Sequence, residues 1–163
     1  MADLSLMLDT NCWLDYYIPN RPRGAQTREL IRYAFVHDIK LLYPAAIAKD
    51  VYYLIDLETK RFIRSAQGKL TQNAAALASE AAWSAVNHMR ENAFAASIGQ
   101  ADVWYAAKLR SVHDDFEDNL VLAAAERVRA TYLVTSDEQL LRHATVAALT
   151  PEKALAALKV SME

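Results

Sequence analysis

Four aspartates stand where apolar segments begin or end, and together they suggest metal-assisted chemistry on phosphate. Asp9 follows the apolar run Leu4–Leu8, Asp50 falls inside the stripe Ile47, Val51, Leu54 and Ile55, Asp118 opens the run Leu120–Ala125, and Asp137 follows Tyr132–Thr135. A carboxylate beside a core is costly unless something neutralises it. Four acids gathered from distant positions repel one another unless a cation holds them together. Ligation by oxygen alone, without Cys or His in support, favours Mg²⁺ or Mn²⁺ over zinc. Such ions bind through a few carboxylates plus water and phosphate oxygens, polarise the phosphoryl group and activate water.

The elements that must position these acids follow from periodicity. Leu4–Leu8 reads as a buried parallel strand with Asp9 at its carboxyl end, the edge at which ligands bind in open α/β sheets. Asp9 or Thr10 could equally cap the helix Cys12–Tyr17. Pro19–Gly24 is a loop that sets Arg21 and Arg23 beside whatever Asp9 faces. A helix with Leu30, Ile31, Ala34 and Phe35 on its buried side leads to a second strand, Ile39–Tyr43, and Pro44 is placed to open the third helix. Asp50 lies three residues after Ile47 and four before Leu54, on the core-facing side of that helix.

Residues 59–70 contain Lys60, Arg61, Arg64 and Lys69 and no acid. The run is either a backbone-binding patch for nucleic acid or a solvated helix face. Asn73–Asn92 is an Ala-rich helix with Leu77, Ala81, Val86 and Met89 available for packing. Phe94–Ile98 reads as a third strand and Ala101–Leu109 as a helix whose Trp104 and Tyr105 suit a core or an interface. His37, His88, His113 and His143 lack metal-ligand spacing and read as structural or surface residues. The segment Leu120–Ala125 is apolar all round, as in a centrally packed helix. Asp118 shares a face with Val121, Leu122 and Ala125, whereas Asp115 or Asp118 could serve the helix N-terminus. Tyr132–Thr135 is the fourth strand, Ser136-Asp137-Glu138-Gln139 a capping box, Val146–Leu149 a last strand, and Thr150-Pro151-Glu152 the start of a terminal helix.

Strands alternating with helices call for a parallel sheet covered on both faces. The 163 residues, 53% hydrophobic and 23% charged, suit one domain spanning 1–163. A formal net charge of -2 argues against a strongly basic nucleic-acid module, although a carboxylate-rich nuclease can be acidic overall and basic locally. The single cysteine, Cys12, excludes an intramolecular disulfide framework, and the three isolated glycines exclude P-loop and dinucleotide-binding fingerprints. The opening Met1-Ala2-Asp3-Leu4-Ser5 has no basic region before an apolar run, and no stretch approaches the roughly 18 apolar residues of a membrane span. A cytoplasmic location is the expectation.

With these residues in hand the chain resembles a known family. Leu6–Asp15 around Asp9, the acid at Asp50, Asp118–Ala125 and Leu133–Asp137 are similar to the four signature blocks of PIN-domain ribonucleases, and Thr150–Leu155 extends the likeness toward the end. The resemblance implies an α/β fold, a PIN-like three-layer α/β/α sandwich around a central, mostly parallel sheet of four to five strands. It implies Mg²⁺- or Mn²⁺-dependent hydrolysis of RNA phosphodiester bonds, and a VapC-like toxin paired with a cognate antitoxin. By position, Asp9, Asp50, Asp118 and Asp137 would bind metal and carry catalysis, and Asn11 and Thr135 would orient them. Arg21, Arg23, Lys60, Arg61 and Arg64 are the candidate RNA contacts, and the apolar helices leave room for a homodimer. The family usually has glutamate where this chain has Asp50, one methylene shorter. A catalytically weak or inactive PIN-fold binding module, acting through protein or RNA contacts, is therefore the alternative. A dehalogenase-like phosphatase would want an aspartate at position 11, where Asn11 stands.

Overall fold

The computed structural model describes residues 4–162; residues 1–3 and 163 lie outside them, and with them the opening Met1-Ala2-Asp3. In chain order the elements are β1 (Ser5–Leu8), α1 (Thr10–Tyr17), α2 (Gly24–Val36), β2 (Lys40–Pro44), α3 (Ile47–Gln67), α4 (Gln72–Asn92), β3 (Phe94–Ala96), α5 (Gln100–Lys108), a 3₁₀ turn (Leu109–Ser111), α6 (Phe116–Arg127), β4 (Tyr132–Val134), α7 (Glu138–His143), β5 (Ala148–Leu149) and α8 (Pro151–Ser161). This is an α/β fold.

The five strands form one sheet in the order β3-β2-β1-β4-β5, every pairing parallel. Leu6 aligns with Leu41 on one side and with Tyr132 on the other. All four residues of β1 are buried. Successive strand residues point to opposite faces, so both faces of the sheet are covered at its centre. From β1 the chain adds β2 and β3 outward on one side, then returns to add β4 and β5 on the other. The order therefore reverses between β1 and β4, and a crevice outside the carboxyl ends of those two strands is where an open α/β sheet binds ligands. Asp9 follows β1 there, and Thr135 and Asp137 follow β4.

Several helix boundaries have direct causes. Thr71 caps α4 by accepting from the Ala74 amide at 3.2 Å, and Thr150 caps α8 with Pro151 just inside. Helix α3 stops at Gly68, whose φ of 72° is the left-handed conformation that glycine adopts without strain. Helices α3 and α4 pack on each other as a helical hairpin, and α4 buries the stripe Ala78, Ala82, Ala85 and Met89. Leu77, expected in that packing, is 68% exposed because it falls off the stripe.

Three other expectations change. Pro44 ends β2 rather than opening a helix, paired with Ala96 and two residues past Leu42, the last β2 residue that pairs with β1. No ladder bond to β1 is lost there, so proline is tolerated. Trp104 is 60% exposed and carries the ammonium of Lys108 over its ring at 3.8 Å, which removes the core reading of this residue and leaves the interface one. Helix α7 is capped by Asp137, not Ser136, because the strand direction runs on through Thr135, whose amide donates to the Leu149 carbonyl at 3.0 Å.

Candidate functional site

Among the described residues three acids are almost completely buried, and the contrast among them defines the site. Asp15 accepts from Arg21 Nε at 2.6 Å, and Asp102 accepts from Arg127 Nε at 2.9 Å and from the Gly99 amide at 2.8 Å. Each is neutralised by an arginine. Asp9, 6% exposed, has no basic partner among the described residues. Its Oδ1 accepts from the Thr10 amide at 2.7 Å and its Oδ2 from the Thr135 hydroxyl at 2.9 Å. Burial pushes the Asp9 carboxyl up to about 6, against those two hydrogen bonds, and the charges of Asp118 and Asp137 push it in the same direction as burial.

Asp9 is also the N-cap of α1, so the capping and site readings of this residue coexist. At the start of α6 the two roles divide. Asp115 is the cap, accepting from the Asp118 amide at 3.0 Å, and leaves the Asp118 side chain available. One oxygen of Asp118, Oδ2, lies 2.8 Å from His113 Nε2. Burial raises the Asp118 carboxyl, His113 opposes the shift, and the charges of Asp115 and Asp137 add to it. The His113 ring stacks on His143 with centroids 5.1 Å apart, and its carbonyl accepts from Asn119 Nδ2 at 2.8 Å. His113 thus contacts a candidate site acid, although nothing in the spacing of the histidines suggested it. Its position five residues before Asp118, across the loop that opens α6, was the available signal.

Asp137 uses Oδ1 to accept from the Gln139 and Leu140 amides, at 2.8 and 2.9 Å, and its own amide donates to the Thr135 hydroxyl at 3.1 Å. Thr135 therefore links Asp9 and Asp137 through one oxygen atom.

Two clefts flank this group. The larger, about 490 Å³, is lined by Asp9, Asn11, Asp50 and Asp118 together with Lys49, Tyr53, Phe116 and Glu117. The smaller, about 350 Å³, is lined by Asn11, Arg21, Arg23, Ser136 and Asp137. Asn11 borders both. Asp50 occupies the first turn of α3, as its place in the apolar stripe predicts, but its Oδ1 accepts from Lys49 Nζ at 2.6 Å.

The other basic candidates are distributed unevenly. Arg21 is committed to Asp15, while Arg23 lines the smaller cleft. Lys60 pairs with Asp56 at 2.7 Å and Arg61 with Glu58 at 2.9 Å. At 1.5 Å per residue they lie about 15 Å along α3 from Asp50, and Arg64 about 21 Å.

Among the described residues no group of three or more His, Cys, Asp or Glu is drawn together tightly enough to form a finished metal cage. The donor set nevertheless fits a hard cation that keeps part of its water shell. Asp9, Asp118 and Asp137 offer oxygen only, their charges act on one another, and the most buried of them has no counter-cation.

Comparison with known proteins bears on the fold and the family. No curated protein matches the chain. The fold is similar to that of a solved VapBC2 complex from Rickettsia felis bound to a DNA fragment from its promoter, with a TM-score of 0.60 at 13% identity over 90% of this chain and 98% of that one. A family model described as PIN domain matches residues 5–139, from the first strand through the cap of α7. That match spans most of the chain and all four candidate acids, and the chain belongs to the PIN-domain family.

Proposed function

We propose that this protein is a metal-dependent endoribonuclease whose ion is held by Asp9, Asp118 and Asp137. The observation that carries the reading is the buried Asp9 carboxylate, which lacks the arginine that the other two buried acids possess and faces two further carboxylates instead. Asp50, the fourth acid of the cleft, accepts from Lys49, and in this reading it is not a ligand of the ion.

Bound Mg²⁺ or Mn²⁺ would polarise the scissile phosphate and lower the pKa of the attacking water. The chain's own residues supply the arrangement. The Thr135 hydroxyl fixes the orientation of the Asp9 carboxylate and, through the Asp137 amide, the start of α7. His113 holds one oxygen of Asp118, and such partners of ligating groups set their orientation. The two clefts on either side of Asn11 give an extended single strand a path across the acids.

Purified protein should cleave RNA in Mn²⁺ or Mg²⁺, fall silent in EDTA and lose activity on Asp9→Ala. Cleavage indifferent to both changes sinks the proposal. A role as the toxin of a toxin–antitoxin pair in the cytoplasm is supported by the family and by the fold shared with a VapBC complex. No helix among the described residues is long and apolar enough to cross a membrane. Strong expression should arrest growth and co-expression of a cognate antitoxin should relieve it; growth unaffected by an active enzyme contradicts the toxin role. The engagement of Asp50 by Lys49 favours, as a second reading, a PIN-fold binding module without turnover. That reading, in which the protein acts through protein or RNA contacts, requires that Mn²⁺ bring neither cleavage nor a gain in thermal stability.

A further inference from the structure

Among the described residues lining the larger cleft, Lys49 is the only basic one. We propose that Lys49 is the phosphate-binding residue of this cleft and that Asp50 serves to hold its ammonium there, an inference that rests on the ribonuclease reading above.

Neighbouring helix positions do not share a face, so Lys49 and Asp50 would ordinarily diverge. The 2.6 Å contact from Lys49 Nζ to Asp50 Oδ1 shows the lysine stem folded toward the aspartate, on the side that lines the cleft with Asp9 and Asp118. An ammonium has three donors on a flexible stem. One is spent on Asp50, and the lysine side chain is 64% exposed, so the rest are accessible to a phosphodiester oxygen. Glu117 on α6, which lines the same cleft, is a further acid acting on Lys49.

The substrate makes this placement useful. A single strand of RNA crossing a floor of carboxylates is repelled unless a cation stands beside its path. The other basic candidates stand elsewhere: Arg21 is paired with Asp15, Arg23 lines the smaller cleft beyond Asn11, and Lys60 is paired with Asp56 some 15 Å along α3. The shorter acid at position 50 and the lysine before it then form one unit, in which the carboxylate serves the ammonium rather than the ion.

The test is the salt dependence of RNA binding, measured by fluorescence anisotropy of a labelled single-stranded oligoribonucleotide in EDTA, where cleavage is off. Lys49→Ala should weaken binding and make the plot of log K against log salt shallower by about 0.7. Lys49→Arg should restore the slope. In parallel, Asp50→Asn should keep the thermal stabilisation by Mn²⁺ that Asp118→Asn loses. An unchanged slope in Lys49→Ala while the wild type cleaves RNA overturns this proposal alone. Loss of Mn²⁺ stabilisation in Asp50→Asn to the same degree as in Asp118→Asn makes Asp50 an ion ligand and overturns it too. Failure of the wild type to bind RNA at all removes the substrate, and the ribonuclease reading falls with it.

Discussion

The Thr135 hydroxyl donates to Asp9 Oδ2 at 2.9 Å and accepts from the Asp137 amide at 3.1 Å, joining the ends of two adjacent parallel strands through one atom. The residue is fully buried, so neither bond is shared with solvent. Thr135→Val keeps the shape and removes both. It leaves a buried carboxylate oxygen and a backbone amide without partners and should destabilise the protein by about 1–3 kcal/mol. Thr135→Ser should recover most of that loss. Urea unfolding of the three proteins checks the order, and equal stability of valine and wild type contradicts it.

The raised Asp9 carboxyl sets a pH dependence whose sign is opposite to that of a salt-bridged acid. Burial holds this group at about 6, above the 3.8 of an unperturbed aspartate, so the folded state binds its proton more tightly than the unfolded one. Its contribution to stability is complete below pH 3.8 and is lost as pH rises through about 6. The loss should be on the order of 3 kcal/mol. In EDTA, the stability of wild type relative to Asp9→Asn should therefore fall between pH 4 and pH 7. A pH-independent difference contradicts this account.

His113 restrains Asp118 from outside the cleft. His113→Ala should weaken Mn²⁺ binding by about 10–100-fold, the usual effect of losing a group that orients a ligand. His113→Gln, which retains a hydrogen-bonding end, should lie in between. Isothermal titration with Mn²⁺ reads this directly, and an unaltered affinity in the alanine variant removes His113 from the site.

Metal should stabilise the fold through the same carboxylates. At about one hundred times its dissociation constant an ion adds about 2.7 kcal/mol. A melting series with Mn²⁺ should therefore shift wild type upward, and Asp118→Ala should abolish the shift. A shift that survives this substitution places the ion elsewhere.

The fold was legible because its signals are local and repeated. Alternation of short apolar runs with amphipathic stretches fixes a parallel α/β order, and Thr150-Pro151 marks a helix start that the structure uses. Positions decided by neighbours distant in sequence were not legible. Pro44 and Ser136 both looked like helix starts, but pairing with Ala96 draws Pro44 into β2, and the carboxylate of Asp137 rather than the hydroxyl of Ser136 receives the Gln139 and Leu140 amides. Four aspartates could be picked out as lying beside the core; that Asp50 holds Lys49 while His113 holds Asp118 depends on side-chain directions that spacing does not encode. The basic run from Lys60 stood out by composition, yet the cation that lines the cleft is Lys49, a single residue with no pattern around it.

Whether Asp9, Asp118 and Asp137 together hold one divalent ion is read from anomalous diffraction of crystals soaked in Mn²⁺. The expected result is a peak within ligand distance of carboxylate oxygens of those three residues. A peak ligated by none of them, or no peak in crystals of protein that cleaves RNA in Mn²⁺, contradicts it.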